Sequence, residues 1–347
     1  MERKRLKELL DKFPALRIAV VGDYFLDKWL EIDRSLDEPS LETGLTAYQV
    51  VAKRCYAGAA GTVVSNLAAL ETGKLFALGF LGNDGEGFEL IRHLKKMNVN
   101  TDLLITSDSV MTPTYTKPVF LKSDGIEETN RLDHKNTKPT PAELERKIID
   151  AVWKIAPDVD AIIALDQLCY EGYGVVTPRL REELAKISDK YPELVIYADS
   201  RAFISRFKNI TIKCNDIEAA KLFGSGKQSG SGSPPPDEVK KCLLRLSDVT
   251  GHPVFITCGS KGVMVMDDRG KPTLVSTIKL PPGTKIDTVG AGDSCTSGIV
   301  TALCAGASPM EAAFIGNLVA GCTIQIIGTT GTASRGDLLA LYERYYG

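Results

Sequence analysis

Ile286 to Gly306 reads I-D-T-V-G-A-G-D-S-C-T-S-G-I-V-T-A-L-C-A-G. Asp287 stands near its start, a glycine turn follows at Gly290-Ala291-Gly292, and Asp293 leads into a small, apolar segment. Ile299, Val300, Leu303 and Cys304 recur at helical spacing, and Gly306 is placed to end the helix. Glycines in such a turn leave backbone N–H groups uncovered. With the positive end of a helix dipole behind them, these donors suit a phosphate group. A carboxylate beside a bound phosphate weakens binding through like-charge repulsion. It has a use where it takes the proton from a hydroxyl that attacks the phosphate. A glycine turn followed by an aspartate helix cap is the structural alternative.

D-T-V-G-A-G-D at 287–293 resembles the C-terminal signature of the PfkB/ribokinase family of sugar kinases, D-T-x-G-A-G-D. The resemblance implies that Asp293 is the catalytic base and that the amides of Gly290, Ala291 and Gly292 form an anion hole for the transferred phosphoryl group. It also implies ATP and Mg²⁺ as co-reactants, and family members can use K⁺ near the glycine turn.

The bulk composition agrees with an enzyme of small molecules. With 42 basic against 44 acidic residues, the net charge of −2 offers no electrostatic footprint for nucleic acid or an anionic membrane surface. The N-terminus, M-E-R-K-R-L-K-E-L-L, reads as a charged helix, and no apolar run is long enough to span a bilayer. The eight cysteines have neither C-x-x-C nor zinc spacing, which fits small core residues of a reduced, cytoplasmic protein. Histidines at 93, 134 and 252 are too scattered for a metal site. The chain reads as one domain over 1–347.

Strand-like runs alternate with helical ones along most of the chain, which predicts an α/β fold with a doubly wound sheet flanked by helices. Strands are expected at 17–22, 75–81, 160–165, 194–198, 211–214, 254–257 and 263–267. Helices are expected at 2–12, after Gly58-Ala59-Ala60-Gly61-Thr62, at 88–97, from Thr140 to about 155, after Thr177-Pro178, from 237 to about 249, from Ser308 to about 326, and at 338–346. Thr140-Pro141-Ala142-Glu143 and Ser308-Pro309-Met310-Glu311 both read as capping boxes with proline at the first helical position. Two excursions break the rhythm, about 28–56 and 112–133, with β-prone stretches at 46–52, 114–121 and 126–132. The family resemblance makes them a small β lid over the sugar, through which members can dimerise. A lid excludes water and so suppresses wasteful ATP hydrolysis.

G-D-Y-F-L-D at 22–27 follows the first strand, where open α/β sheets bind ligands. Asp23 and Asp27 are placed to accept hydrogen bonds from vicinal hydroxyls, and the family's G-D-x-x-x-D substrate motif agrees. Gly58, Ala59 and Thr62 lie in a segment similar to the family's sugar-contacting G-G-A-G-N, with Ala59 and Thr62 as departures. Lys117 matches a T-x-T-K segment, and Arg131 stands beside the same lid; solvated strand faces explain both as well. Asn215-Asp216-Ile217-Glu218 matches the family's N-x-x-E. Residues three apart face one side of a first turn, so Asn215 and Glu218 are candidates to hold a Mg²⁺ through water; a plain capping box is the alternative. Thr257, Gly259 and Gly262 make a T-x-G-x-x-G that resembles the family's nucleotide-side turn, with a tight β-hairpin as the alternative; the resemblance also implies that Asp287 lies on the nucleotide side and that Asn317 borders the adenine.

Within the family the likeness is to the heptose-phosphate kinase branch, although D-Q-L-C-Y-E-G-Y-G at 166–174 replaces that branch's D-Y-G-K-G and lacks its lysine. This departure points to a different sugar or sugar phosphate. Gly226-Lys227 lies in a Gly/Ser/Pro-rich stretch, 224–236, expected to be a mobile loop; it does not complete a P-loop, since position 221 is Lys and Gln228 replaces Ser/Thr. A sugar- or nucleotide-sensing protein on a kinase scaffold is a second reading. A dinucleotide-binding oxidoreductase is a third, weakened by Cys295 at the last glycine position of G-x-G-x-x-G.

Overall fold

The computed structural model describes residues 1–223 and 233–347. The Gly/Ser/Pro-rich stretch therefore lies largely outside the described residues. The first strand shows how the chain builds its core. In β1 (Arg17–Gly22), Ile18 and Val20 point to one face and Ala19 and Val21 to the other, and all four are fully buried. A strand apolar on both faces requires helices on both faces.

One face is covered by α1 (Arg3–Leu10), α2 (Ala60–Ala69), α3 (Gly85–Lys96), α8 (Ala291–Cys304), α9 (Pro309–Thr323) and α10 (Arg335–Tyr346). The other is covered by α4 (Ala142–Ile155), α5 (Pro178–Lys190), α6 (Asp216–Leu222) and α7 (Pro236–Thr250). Between them lies a nine-stranded sheet in the order β16-β15-β14-β13-β12-β11-β1-β6-β7. Its strands are β1, β6 (Lys74–Gly82), β7 (Asn100–Ser107), β11 (Ala161–Asp166), β12 (Val195–Ser200), β13 (Thr211–Asn215), β14 (Val254–Thr257), β15 (Gly262–Met266) and β16 (Pro272–Ser276). β7 through β14 in that order are parallel; β15 and β16 are antiparallel. The chain runs from β1 outward through β6 and β7, then returns to the other side of β1 with β11. That reversal opens a crevice at the carboxyl ends of β1 and β11, the usual ligand position in such sheets.

A second sheet stands at this end, ordered β10-β8-β2-β5 with β9 paired to β8. It comprises β2 (Tyr24–Ile32), β5 (Val50–Ala59), β8 (Thr114–Lys122), β9 (Gly125–Glu128) and β10 (Leu132–His134); a short β3–β4 pair (Glu38–Pro39, Thr46–Ala47) lies apart. The first excursion from the main sheet is longer than expected. β2 begins at Tyr24, with only Asp23 separating it from β1, and β5 runs on to Ala59. The G-D-Y-F-L-D segment is thus the strand that joins the two sheets. The expected capping box at Thr140 is also corrected. The helix cap is Pro141, whose ring has no hydrogen-bonding atom, and Thr140 Oγ1 donates to Gly174 O at 2.7 Å rather than capping the helix.

Ala59 carries the strain of the junction between β5 and α2, with φ 53° and ψ −118°. A non-glycine residue held in such a region costs roughly 1–3 kcal/mol, against a penalty of roughly 0.5–1 kcal/mol for the extra freedom of glycine. Ala59→Gly is expected to stabilise the protein by about 1 kcal/mol, read as a higher urea midpoint. A lower midpoint would show that the junction is relaxed with alanine.

Candidate active site

Helix α8 delivers its first turn to the crevice. Gly290 adopts φ 79°, and a Cβ there would lie 2.5 Å from Thr330 Cγ2 and 3.6 Å from Thr62 Cγ2. Only glycine fits, and the start of α2 faces the turn through Thr62. Ala291, expected among the anion-hole donors, gives its N–H to Thr288 O at 3.2 Å. The N–H groups of Gly290, Gly292 and Asp293 have no backbone acceptor among the described residues. Asp287, expected on the nucleotide side, braces the turn. Its Oδ1 accepts from Val289 N (3.0 Å), its Oδ2 from Gly328 N (3.4 Å), and its own N–H donates to Ile324 O (2.8 Å).

Asp293 is half-buried at the head of α8. Burial pushes its carboxyl up to about 7, Lys213 pulls against that rise, Asp199 adds to it, Arg201 opposes it and Asp27 adds to it. A carboxylate near neutrality is suited to accept a proton at working pH.

The two aspartates of G-D-Y-F-L-D do different things. Asp23 is 4% exposed, and its oxygens accept N–H groups from Val175 (2.8 Å) and Gln167 (3.0 Å). It therefore pins the loop after β11, beside Asp166. Burial raises the Asp166 carboxyl to about 7, the nearby Asp23 adding to the rise. Asp27 has no hydrogen-bond partner for its carboxylate among the described residues. Burial raises it, opposed by Lys117 and Arg131. A Cβ at Gly58 would come within 2.5 Å of Asp27 Oδ2, so the glycine there makes room for the acid. Lys117 Nζ sits 4.8 Å from the Trp29 ring, and the Arg131 guanidinium 4.0 Å from the Tyr115 ring while bonding Asp133 at 2.6 Å. Lys117, Arg131 and Asp133 line a hollow of about 440 Å³ in the small sheet.

On the other side of the crevice, Asn215 ends β13 and caps α6. Its Oδ1 accepts from Glu218 N, and Glu218 Oε2 accepts from Asn215 N, both at 2.8 Å. The capping-box alternative is therefore realised. One carboxylate oxygen of Glu218 and a second lone pair on Asn215 Oδ1 are left to accept from water, while the Asn215 amide NH₂ remains a donor. Among the described residues no group of three or more His, Cys, Asp or Glu is arranged to hold a metal directly. The pair fits a Mg²⁺ that keeps its water shell, as this ion commonly does. Thr257 ends β14 and donates to Cys214 O at 3.4 Å. Gly259 (φ 55°) and Gly262 (φ 115°) turn the chain into β15. Asn317 Nδ2 donates to Val275 O at 2.8 Å, tying α9 to β16.

One residue at the centre went unassigned in the sequence. Lys213, 6% exposed, reaches Asp199 Oδ2 at 2.6 Å and Gly292 O at 3.4 Å. The signal was a lysine inside the apolar run I-T-I-K-C, since a fully buried lysine is almost always paired.

A parallel sheet with its acids, its N-x-x-E turn and its glycine-turn helix gathered at one switch point defines a class. The model of the pfkB family of carbohydrate kinases matches residues 18–335, and the chain belongs to that family. The oxidoreductase reading falls with it. Among its relatives, the bifunctional protein HldE of Desulfatibacillum aliphaticivorans is 28% identical over 330 residues, which cover 94% of this chain and 63% of that protein. The chain thus spans less than two thirds of that relative's length. Arabidopsis thaliana ribokinase, solved with ribose and ATP, superposes with a TM-score of 0.67 at 19% identity, over 94% of this chain and 98% of that one. Escherichia coli phosphofructokinase-2, solved with substrates and products, gives 0.72 at 17% identity, over 96% and 100%. At such identities the structures attest the ribokinase-like fold. No helix among the described residues is long and apolar enough to cross a membrane.

The raised Asp293 carboxyl has a consequence for stability. Its ordinary value is 3.8 and its folded value about 7. The fold favours the protonated acid, so its contribution is present below the ordinary carboxylate range and is lost as pH rises through 7. Asp293→Asn is expected to raise stability at pH 8 by roughly 1–2 kcal/mol, after allowance for partial solvent screening, and to change it little at pH 4. Urea unfolding at the two pH values tests this; an Asn variant no more stable at pH 8 contradicts it.

Proposed function

We propose that the chain transfers the γ-phosphate of ATP to a hydroxyl of a sugar phosphate, with Asp293 as the general base. The observation that carries this reading is the convergence at the head of α8. Free amides of Gly292 and Asp293 stand beside a carboxyl poised near 7, with the unpartnered Asp27 near enough for its charge to be felt there. Asp27 orients the acceptor by accepting from a hydroxyl. Asp293 takes the proton of the attacking hydroxyl. The Gly290, Gly292 and Asp293 N–H groups and the helix dipole meet the negative charge that builds on the phosphoryl oxygens. A hydrated Mg²⁺ held near Asn215 and Glu218 supplies charge neutralisation for the polyphosphate. Thr257, Gly259, Gly262 and Asn317 bound the nucleotide side.

Lys117 and Arg131 beside Asp27 favour an acceptor that already carries a phosphate over a neutral sugar. Binding of K⁺ near the glycine turn belongs to the same reading. The small sheet is read as the lid, and it exposes Val50, Ile126 and Leu132 at 49%, 50% and 57%. Such a surface supports a homodimer through this sheet, which sedimentation of the active preparation would show as twice the mass of the chain.

The decisive assay is ADP release from Mg-ATP over a panel of sugars and their phosphates. A phosphorylated sugar is expected to be turned over, with Asp293→Asn lowering kcat by at least about a hundredfold while ATP still binds. Preference for neutral sugars would remove the roles of Lys117 and Arg131. Unchanged turnover in Asp293→Asn would remove the base. ATP and sugar binding without turnover would favour the sensing role.

A further inference from the structure

Beneath the glycine turn lies a buried ionic bridge that the transfer chemistry does not itself require. We propose that Lys213 is a positioning residue for the transfer: from β13 its ammonium bridges the Asp199 carboxylate of β12 to the Gly292 carbonyl of α8, and so holds the first turn of α8 and the Asp293 carboxylate in place. The inference rests on Asp293 being the base of the proposed reaction.

The geometry comes first. Lys213 Nζ donates to Asp199 Oδ2 at 2.6 Å and lies 3.4 Å from Gly292 O. The same Asp199 oxygen accepts from Thr296 Oγ1 at 3.3 Å, one turn further along α8. The ammonium, at Gly292, and the carboxylate oxygen it pairs with, at Thr296, thus join the sheet to two successive turns of the helix. Gly292 packs closely here, since a Cβ there would stand 3.1 Å from Lys213 Nζ. The carbonyl that Lys213 meets belongs to Gly292, whose own N–H has no backbone acceptor among the described residues. Fixing one end of that residue limits how the other can swing.

The charges around the bridge have a consistent logic. Lys213 is buried with its ammonium 2.6 Å from the Asp199 carboxylate, the pairing a buried charge requires. Asp293 faces Lys213 from β13, Asp199 from β12, Arg201 from the loop after β12, and Asp27 from β2. Glu218 of α6 feels Asp199, Lys213 and Arg201, and Cys295 of α8 feels Lys213 and Asp199. Of the groups around Asp293, Lys213 is the strongest one favouring the ionised acid, and Asp199 the strongest charge opposing it. The bridge therefore makes a signed prediction. Removing the lysine should make Asp293 harder to ionise, and removing Asp199 should make it easier.

The test follows Asp293 directly and needs no turnover. The full chain is labelled with carbon-13 at the aspartate Cγ, and the Asp293 resonance is assigned by its loss in Asp293→Asn. Its titration midpoint is expected to rise by about one unit or more in Lys213→Met, to fall in Asp199→Asn, and to return close to the native value in the double variant. If an accepted sugar is in hand, the acid limb of kcat should move with the same signs while KM for ATP changes little. A role in packing alone would move both single variants the same way or neither, and would overturn the proposal. So would an effect of Lys213→Met confined to KM for ATP, which would make the lysine a nucleotide ligand. Should Lys213→Met fail to fold, Asp199→Asn decides: a downward midpoint supports the bridge and an unmoved one overturns it. Because the resonance reports whether or not any sugar is phosphorylated, failure of the bridge and failure of the kinase reading give different results.

Discussion

The first turn of α8 can form only where Gly290 stays left-handed against Thr330. That single steric constraint sets the first turn of α8, where the Gly292 and Asp293 N–H groups have no backbone acceptor among the described residues. The turn is held from several sides at once. Asp287 ties the loop ahead of it to the loop at 324–328, Thr62 closes it from α2, and Lys213 meets it from the sheet. Ser297 Oγ, one turn deeper, donates to Val63 O at 3.2 Å and locks α8 against α2. A loop able to approach a phosphate closely must carry little side chain, and such a loop is ordered only by what surrounds it.

The carboxylates of the crevice are separated by function through their partners. Asp23 and Asp287 each accept two backbone N–H groups and order loops. Asp199 is matched by a buried lysine. Asp27 and Asp293 have no such partners and are raised by burial. Unpaired buried acids cost stability, and the proposed transfer gives that cost a use, one acid accepting a proton and the other holding a hydroxyl.

Much of this was legible in the sequence where local chemistry and long-range placement coincide. The glycine turn of 290–293, the N-x-x-E cap of α6 and the Ser308 cap of α9 are local features, and each formed as read. The alternating strands and helices gave the layered core for the same reason. What stayed hidden depends on tertiary partners. β7 and β16 are edge strands with mixed exposure, so they lack the continuous apolar run that marks a buried strand. Thr140 donates to a carbonyl across the fold and accepts nothing from its own helix. The engagement of Asp23 by Val175 and Gln167 spans about half the chain, beyond any spacing rule. Lys213 announced itself only as an anomaly of type, a charge inside an apolar strand, without saying which acid would meet it.

The account stands or falls on whether charge on the transferred phosphoryl group is met at the head of α8. A crystal structure of the protein with Mg-ADP, aluminium fluoride and its accepted sugar would place that group. The account predicts the fluoride plane within hydrogen-bond reach of the Gly292 and Asp293 N–H groups, with the acceptor hydroxyl against the Asp293 carboxylate. A plane bound away from α8, or an Asp293 turned from the hydroxyl, would contradict it.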